Sequence, residues 1–240
     1  MITIPRLDTM AFLVHGFGDG ALSATGLRRL AARSSLRPVI LRQVHSDIVR
    51  FAVRVPRESP RGDALVTRTP GLLLVIKTAD CLPVLLVDAD RRVVAAVHCG
   101  WRGTLLGILE RTVKGMSERY GCDLGRLVAA FGPCIGAGCY EVGEDVRGRF
   151  LRAGYPGRLF RPSTGRPGKR LFDLAGANRL QLRRAGLDWR NILAAGVCTH
   201  CDPLLPSYRR DGKRAGRMLS FIALLPRDQN QLGNSVATFP

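Results

Sequence analysis

Cys81 and His98 are the residues whose types and spacing combine most readily into chemistry. Thr78-Ala79-Asp80-Cys81 and His98-Cys99-Gly100-Trp101-Arg102-Gly103 bracket a short apolar stretch of near mirror symmetry. Leu82 to Val87 and Arg92 to Val97 read as strands, and Asp88-Ala89-Asp90-Arg91 is short and polar enough to turn between them. A hairpin folded about the midpoint of Ala89 and Asp90 sets Leu85 opposite Val94, Pro83 opposite Ala96 and Cys81 opposite His98, with facing Cβ atoms about 4.5 to 5.5 Å apart. A thiolate and an imidazole at that separation can share a metal ion or act as nucleophile and base. The plainer reading is a buried cysteine beside a histidine that hydrogen-bonds locally.

Only four histidines occur, so the position of each matters. His45 lies in Gln43-Val44-His45-Ser46-Asp47, a polar corner between two strand-like runs. If that corner meets the end of the hairpin, His45, Cys81 and His98 become a three-ligand set with an open fourth position, the arrangement of catalytic zinc. Asp63 and Asp80 are the carboxylates placed to orient an imidazole or move a proton, or else simply to cap turns. Cys198-Thr199-His200-Cys201 has the spacing of a zinc knuckle or redox pair, and with Cys134 and Cys139 it could complete a four-thiolate site. Gly16-Phe17-Gly18-Asp19-Gly20 is a weak candidate phosphate loop, since it lacks the Lys-Ser/Thr ending.

The elements that must position these residues follow from periodicity. Ala11 to His15, Pro38 to Arg42, Ile48 to Val53, Ala64 to Val66 and Leu72 to Lys77 read as strands, and Ala21 to Arg33 as a basic amphipathic helix. Leu105, Ile108, Leu109, Val113 and Met116 recur at three- and four-residue steps, which predicts one helix from Gly103 or Thr104 to Tyr120. Leu127 to Phe131 is a strand, Gly143 to Arg152 a helix, and the Pro- and Gly-punctuated run from Arg158 to Arg170 an exposed loop. Asp173 caps a helix from Leu174 to Ala185; Asn191 to Val197 and Gly216 to Leu224 supply the last strands. Hairpins with helices between groups of strands predict an α+β (mixed α/β) fold over 1–240, a single domain with a mixed sheet and flanking helices, rather than a doubly wound parallel sheet.

Composition bounds the function. The chain has 240 residues, 46% hydrophobic and 23% charged, enough for a substantial core. Its longest apolar runs fall far short of the roughly 20 residues that span a membrane, and the first residues do not read as a signal peptide. A cytoplasmic location follows, in which seven cysteines serve as buried thiols, ligands or nucleophiles rather than disulfides. The net charge of +18 is almost all arginine and spread along the chain, and only 6% of residues are aromatic. That distribution argues against nucleic acid as partner and for anionic small substrates. Oligomeric state leaves no mark in the sequence.

Taken together, Gln43-Val44-His45, Gly62-Asp63-Ala64-Leu65-Val66-Thr67, Thr78-Ala79-Asp80-Cys81, Val97-His98-Cys99-Gly100-Trp101-Arg102-Gly103, Gly132-Pro133-Cys134-Ile135-Gly136, Cys139-Tyr140-Glu141-Val142 and Ser207-Tyr208-Arg209-Arg210-Asp211-Gly212 closely resemble one family. It is the bacterial purine nucleoside phosphorylase family, also called multicopper polyphenol oxidoreductase (laccase-domain) proteins and, for some members, peptidoglycan editing factor. The resemblance implies the fold of a deamidating toxin's catalytic domain and zinc at His45, Cys81 and His98, with copper as the other metal. It implies phosphorolysis of adenosine, inosine, guanosine or methylthioadenosine, and deamination of adenosine, so that nucleoside and phosphate are the small-molecule partners. Catalysis then falls to Cys81, His98, Asp80 and Asp63, and substrate binding to Gln43, Arg102 and Arg209. The segment Gly18 to Ser23 departs from the family pattern, which places an arginine and an asparagine for the substrate pocket there; Arg102 and Arg209 are the replacements for that cation. The alternatives are a Cys81–His98 hydrolase editing cell-wall precursors and a copper-dependent polyphenol oxidase.

Overall fold

Strands covered on both faces are apolar throughout rather than alternating, and Leu72–Thr78, Leu82–Asp88, Val93–Cys99 and Met218–Leu224 are almost wholly buried. The computed structural model describes residues 1–163 and 165–226. In chain order the strands are β1 (Leu13–Phe17), β2 (Arg37–Ile40), β3 (Val49–Phe51), β4 (Ala64–Thr67), β5 (Leu72–Thr78), β6 (Leu82–Asp88), β7 (Val93–Cys99), β8 (Val128–Phe131), β9 (Glu141–Gly143), β10 (Phe160–Pro162), β11 (Lys169–Phe172), β12 (Ile192–Ala194) and β13 (Met218–Leu224). The helices are α1 (Pro5–Asp8), α2 (Ala24–Arg33), α3 (Trp101–Leu105), α4 (Ile108–Tyr120), α5 (Glu144–Arg152), α6 (Leu174–Arg184) and α7 (Tyr208–Asp211). No helix among the described residues is long and apolar enough to cross a membrane.

The mixed α+β architecture read from the sequence is the one observed. A four-stranded sheet, β1-β13-β5-β2, packs on a six-stranded one, β12-β8-β6-β7-β4-β3, and each mixes parallel with antiparallel pairs. Leu72, Leu74 and Ile76 meet Leu85, Val87, Val94 and Ala96 between the sheets. The opposite faces are covered by helices: Leu27 and Leu30 of α2 lie on Leu73, Val75 and Phe221, while Ile108, Leu109, Val113 and Met116 of α4 lie on Val84, Leu86, Ala95 and Val97. Ser23 and Asp173 cap α2 and α6 by accepting the N–H of Gly26 and Gly176.

The hairpin register differs from the symmetric expectation. Pro83, not Cys81, faces His98, and Leu85 faces Ala96. The turn is four residues, 89–92, because Asp88 Oδ1 accepts the Arg91 N–H at 2.8 Å and Arg92 takes a left-handed φ of 52°. The offset is two residues, so the face on which each side chain points is kept, and Cys81 becomes a diagonal rather than a direct neighbour of His98.

Two further expectations are corrected. The helix expected from 103 to 120 is broken at Gly107, whose φ is 80°. Its apolar periodicity runs on across the break, and the Thr104 carbonyl accepts the buried Tyr155 hydroxyl at 3.0 Å and the Gln181 amide. The loop expected from 158 to 170 contains the hairpin β10–β11. Phe160 stacks on Phe172 with ring centroids 4.6 Å apart, and that packing outweighs the Pro and Gly punctuation.

Candidate metal centre and its cavity

Both segments that carry the chain from the four-stranded sheet into the six-stranded one deliver a candidate ligand. His45 lies between β2 and β3, and Cys81 between β5 and β6. His98 arrives at the end of β7, beside β4. The donor atoms of His45, Cys81 and His98 lie within 4.8 Å of one another. The His45 and His98 rings meet edge to face, centroids 4.8 Å apart. His98 is buried, Cys81 half-buried and His45 exposed, so the set opens to one side.

Asp63 stands behind the set, fully buried immediately before β4. Its carboxylate accepts from the N–H groups of Val44, His45 and Ser46, at 3.3, 3.0 and 2.7 Å, and from the Ser46 hydroxyl at 2.7 Å. It also takes the Nδ1 of His98 at 2.8 Å, so that Nε2 is the nitrogen left for a ligand or substrate. One carboxylate thereby fixes the His45 corner and the His98 ring. Burial alone would raise its pKa, but the hydrogen bonds from His98 and Ser46 hold it well below the usual carboxylate range. Burial would likewise disfavour charge on Cys81 and His98, yet each stabilises the other: the thiol is pushed down by His98 and His45, and the imidazole up by Cys81 and Asp63. That mutual stabilisation favours the charged form of each partner.

Two nitrogens and one thiolate suit zinc or copper(I). Gly100 lets the chain pack closely on two of the three: a Cβ there would lie 3.1 Å from the Cys81 sulfur and 3.0 Å from His45 Cδ2. Cys99, one residue on from His98, faces the α4 core, where burial raises its thiol pKa well above the ordinary value.

The trio opens on a cavity of about 610 Å³. Arg42, Lys77, Arg102, Arg209 and Arg217 line it, against one carboxylate, Asp80, and its walls include Trp101, Tyr140 and Tyr208. Arg102 lies over the Trp101 ring at 4.4 Å and Arg209 over Tyr140 at 5.3 Å, so the predicted cations are held against aromatic faces. Gln43 lines the cavity too, but its amide is spent on Lys77, whose carbonyl accepts and whose N–H donates, both at 2.8 Å. That bond anchors the His45 corner to β5. Asp80, with a left-handed φ of 85°, accepts from the Thr199 and Ser207 hydroxyls at 2.7 Å each and from the Arg209 N–H at 2.6 Å. It clasps the 199–209 segment to the wall. Tyr140, Arg42, Lys77 and Arg217 are not among the residues the sequence points to; Tyr140 lies in a quoted motif and Arg217 in the run Arg209, Arg210, Lys213, Arg214, Arg217, whereas Arg42 and Lys77 carry no signal.

The remaining thiols separate. Cys139, Cys198 and Cys201 gather on loops, donor atoms again within 4.8 Å of one another. Cys134 is buried, pairs by backbone with Cys198 and lies outside that group, so the four-thiolate expectation reduces to three. Gly16 and Gly18 serve close packing rather than a phosphate: a Cβ on Gly18 would lie 2.9 Å from the Leu219 backbone, and Asp19 pairs with the N-terminal amine.

Residues 18–225 match the family described as multi-copper polyphenol oxidoreductase laccase. A purine nucleoside phosphorylase of Deinococcus radiodurans is 45% identical over 177 residues, 73% of this chain and 66% of that protein. An adenosine deaminase of an unknown prokaryotic organism is 38% identical over 161 residues, 67% of this chain and 61% of that one. These matches span less than two thirds of either relative's length. The solved structure of YlmD from Geobacillus stearothermophilus superposes with a TM-score of 0.80 at 30% identity, covering 90% of this chain and 93% of that one. A family match over most of the chain, and a like fold in a relative of nearly equal extent, make the chain a member of the multi-copper polyphenol oxidoreductase laccase family.

Proposed function

We propose that the chain is a zinc-dependent enzyme of purine nucleosides, cleaving the N-glycosidic bond with phosphate and deaminating adenosine. The observation that carries this reading is a His-Cys-His set, oriented by a buried carboxylate, at the floor of a cavity lined by cations and aromatic faces. The names of the relatives support the substrate class, a phosphorylase in one case and a deaminase in the other. His45, Cys81 and His98 would hold the ion. Zinc supplies a Lewis acid that makes water acidic near neutral pH, and copper(I) would suit the same donors.

The chain's own groups account for the rest. Asp63 keeps the Nδ1 proton of His98 directed at itself and Nε2 directed into the site. Arg102 and Arg209, with Lys77 and Arg42 nearby, neutralise phosphate brought beside the sugar, where its oxygen takes the anomeric carbon as the purine leaves. Trp101, Tyr140 and Tyr208 offer flat apolar surfaces for the base. Gln43 holds the His45 corner, and Asp80 holds the wall that carries Arg209.

Incubating the protein with adenosine, with and without phosphate, tests the reading. Adenine with ribose 1-phosphate is expected when phosphate is present and inosine when it is absent, and both are expected to disappear with a chelator. Failure to form either product would sink it. The mutual stabilisation of Cys81 and His98 favours a second reading, a Cys81 thiolate that attacks amide bonds of cell-wall precursors while His98 gives the leaving amine its proton. That reading requires turnover that survives chelation and is abolished in Cys81→Ser.

A further inference from the structure

We propose that Cys139, Cys198 and Cys201 form a second metal site, a three-thiolate clamp for zinc that ties two loops together behind the cavity wall. Their sulfurs lie within 4.8 Å of one another, those of Cys139 and Cys201 only 3.3 Å apart. Sulfurs that each sit about 2.3 Å from one tetrahedral ion are about 3.8 Å from each other, so the ion requires shifts of under about 1 Å. All three are free thiols, none of them fully buried, and an ion can reach them from solvent.

The backbone around Cys198 suits a thiolate ligand. Gly136 donates its N–H to the Cys198 sulfur at 3.1 Å, and the N–H groups of His200 and Cys201 are directed at the same atom. Backbone donors two and three residues past the first cysteine of a Cys-x-x-Cys turn stabilise negative charge on that sulfur. Three thiolates leave a tetrahedral ion one position for water or an added thiol, and the soft donor set selects zinc over magnesium or calcium. Each thiol that binds gives its proton to solvent, so binding tightens as pH rises.

The clamp has a purpose in the fold. Cys139 and Cys201 come from segments 62 positions apart. Tyr140, next to Cys139, and Arg209 line the cavity, and Thr199, next to Cys198, donates to Asp80. Arg210 already gathers this turn by donating to the carbonyls of Thr199, His200, Asp202 and Leu205. An ion on the three sulfurs would join that turn to the Tyr140 segment and brace the wall that carries Tyr140 and Arg209.

Cadmium titration of the reduced protein, followed by thiolate charge-transfer absorption, tests the proposal without reference to turnover. Cys81→Ala removes the thiolate of the first site, and one tight equivalent with the absorption of three thiolates is expected to remain. Cys81→Ala/Cys201→Ser is expected to lose that equivalent, with affinity falling by more than the roughly 100-fold that attends loss of a group behind a ligand. If Cys81→Ala fails to fold, wild type should show two equivalents and Cys201→Ser one. No tight equivalent, or a band unchanged by Cys139→Ser, overturns the proposal. So does a thiol count on the unreduced, denatured protein that is two short in the wild type until reductant is added and complete in Cys139→Ser/Cys201→Ser, since that marks a Cys139–Cys201 disulfide. Because the readout is thiolate absorption, a failed nucleoside assay leaves this result standing.

Discussion

The two cysteine clusters differ in what stands behind the sulfur. Cys81 is paired with imidazoles, and the imidazole of His98 is held by Asp63, a buried carboxylate that also organises the backbone of residues 44–46. Cys198 is instead approached by backbone N–H groups of two loops. The first arrangement builds directionality into side chains on strand ends and presents an open face to a cavity; the second builds a negatively biased pocket from turns. Both clusters use a glycine to let the sulfur in, Gly100 beside Cys81 and Gly136 beside Cys198, each with a Cβ position 3.1 Å from the sulfur. Similar donor spacing thus stands in two different surroundings, and those surroundings are what distinguish the proposed reactive site from the proposed clamp.

Removing the carboxylate is the strongest way to break this contrast. Asp63→Asn should lower metal affinity at the His45–Cys81–His98 set by about 10- to 100-fold, read by competition with a chromogenic chelator, and leave the three-thiolate cluster unchanged. It should also alter acid stability. The folded pKa of Asp63 lies below the unfolded value of about 3.9, so its stabilisation is complete above that value and is lost as pH falls toward the folded pKa. Denaturant midpoints measured through the acid range should show that loss in the wild-type protein and lack it in Asp63→Asn.

The paired glycines sharpen the comparison. Gly100→Ala places a methyl group against both Cys81 and His45 and should weaken the first site by about tenfold, an amount equal to 1.4 kcal/mol. Gly136→Ala crowds only the Cys198 residue, on a loop that can give, and should weaken cadmium binding there by about threefold. Equal effects at the two positions would remove the distinction between a strand-built and a loop-built site. Smallest of all is Arg209→Ala, which keeps the backbone N–H that Asp80 accepts. It should raise the KM for phosphate several-fold, on the scale of one exposed charge-assisted bond, with little change in kcat.

Much of this was legible in the residues because the sheet imposes parity. Cys81 and His98 end on one face whichever four-residue turn closes the hairpin, so a register misread by two positions still brought them together. The continuous apolar runs of β5, β6 and β7 likewise announced strands covered on both faces. The helix break at Gly107 is hidden because the apolar periodicity runs on across it, and the Tyr155 hydroxyl and Gln181 amide that meet the Thr104 carbonyl lie far along the chain. The β10–β11 hairpin was hidden in the same way by aromatic packing. Asp63 and Asp80 both lie at the candidate site, one on His98 and the other on the cavity wall. Which of them would hold His98, and which would clasp the 199–209 segment, depends on strand order that local spacing does not encode. The cations Arg42 and Lys77 reach the cavity only because β2 and β5 lie side by side.

His45 and Asp80, the left-handed residues at the two sheet-to-sheet crossings, have a consequence for how such a chain changes under selection. Each conformation costs about 1 to 3 kcal/mol for a residue other than glycine. Asp80 is retained by its three side-chain bonds, but His45 is exposed and contributes to folding chiefly through its N–H, which any residue would supply. Selection for thermal stability alone would drift toward glycine at position 45 and erase a candidate ligand without disturbing the fold. A histidine at that position is therefore held at a cost in backbone strain that the fold itself does not require.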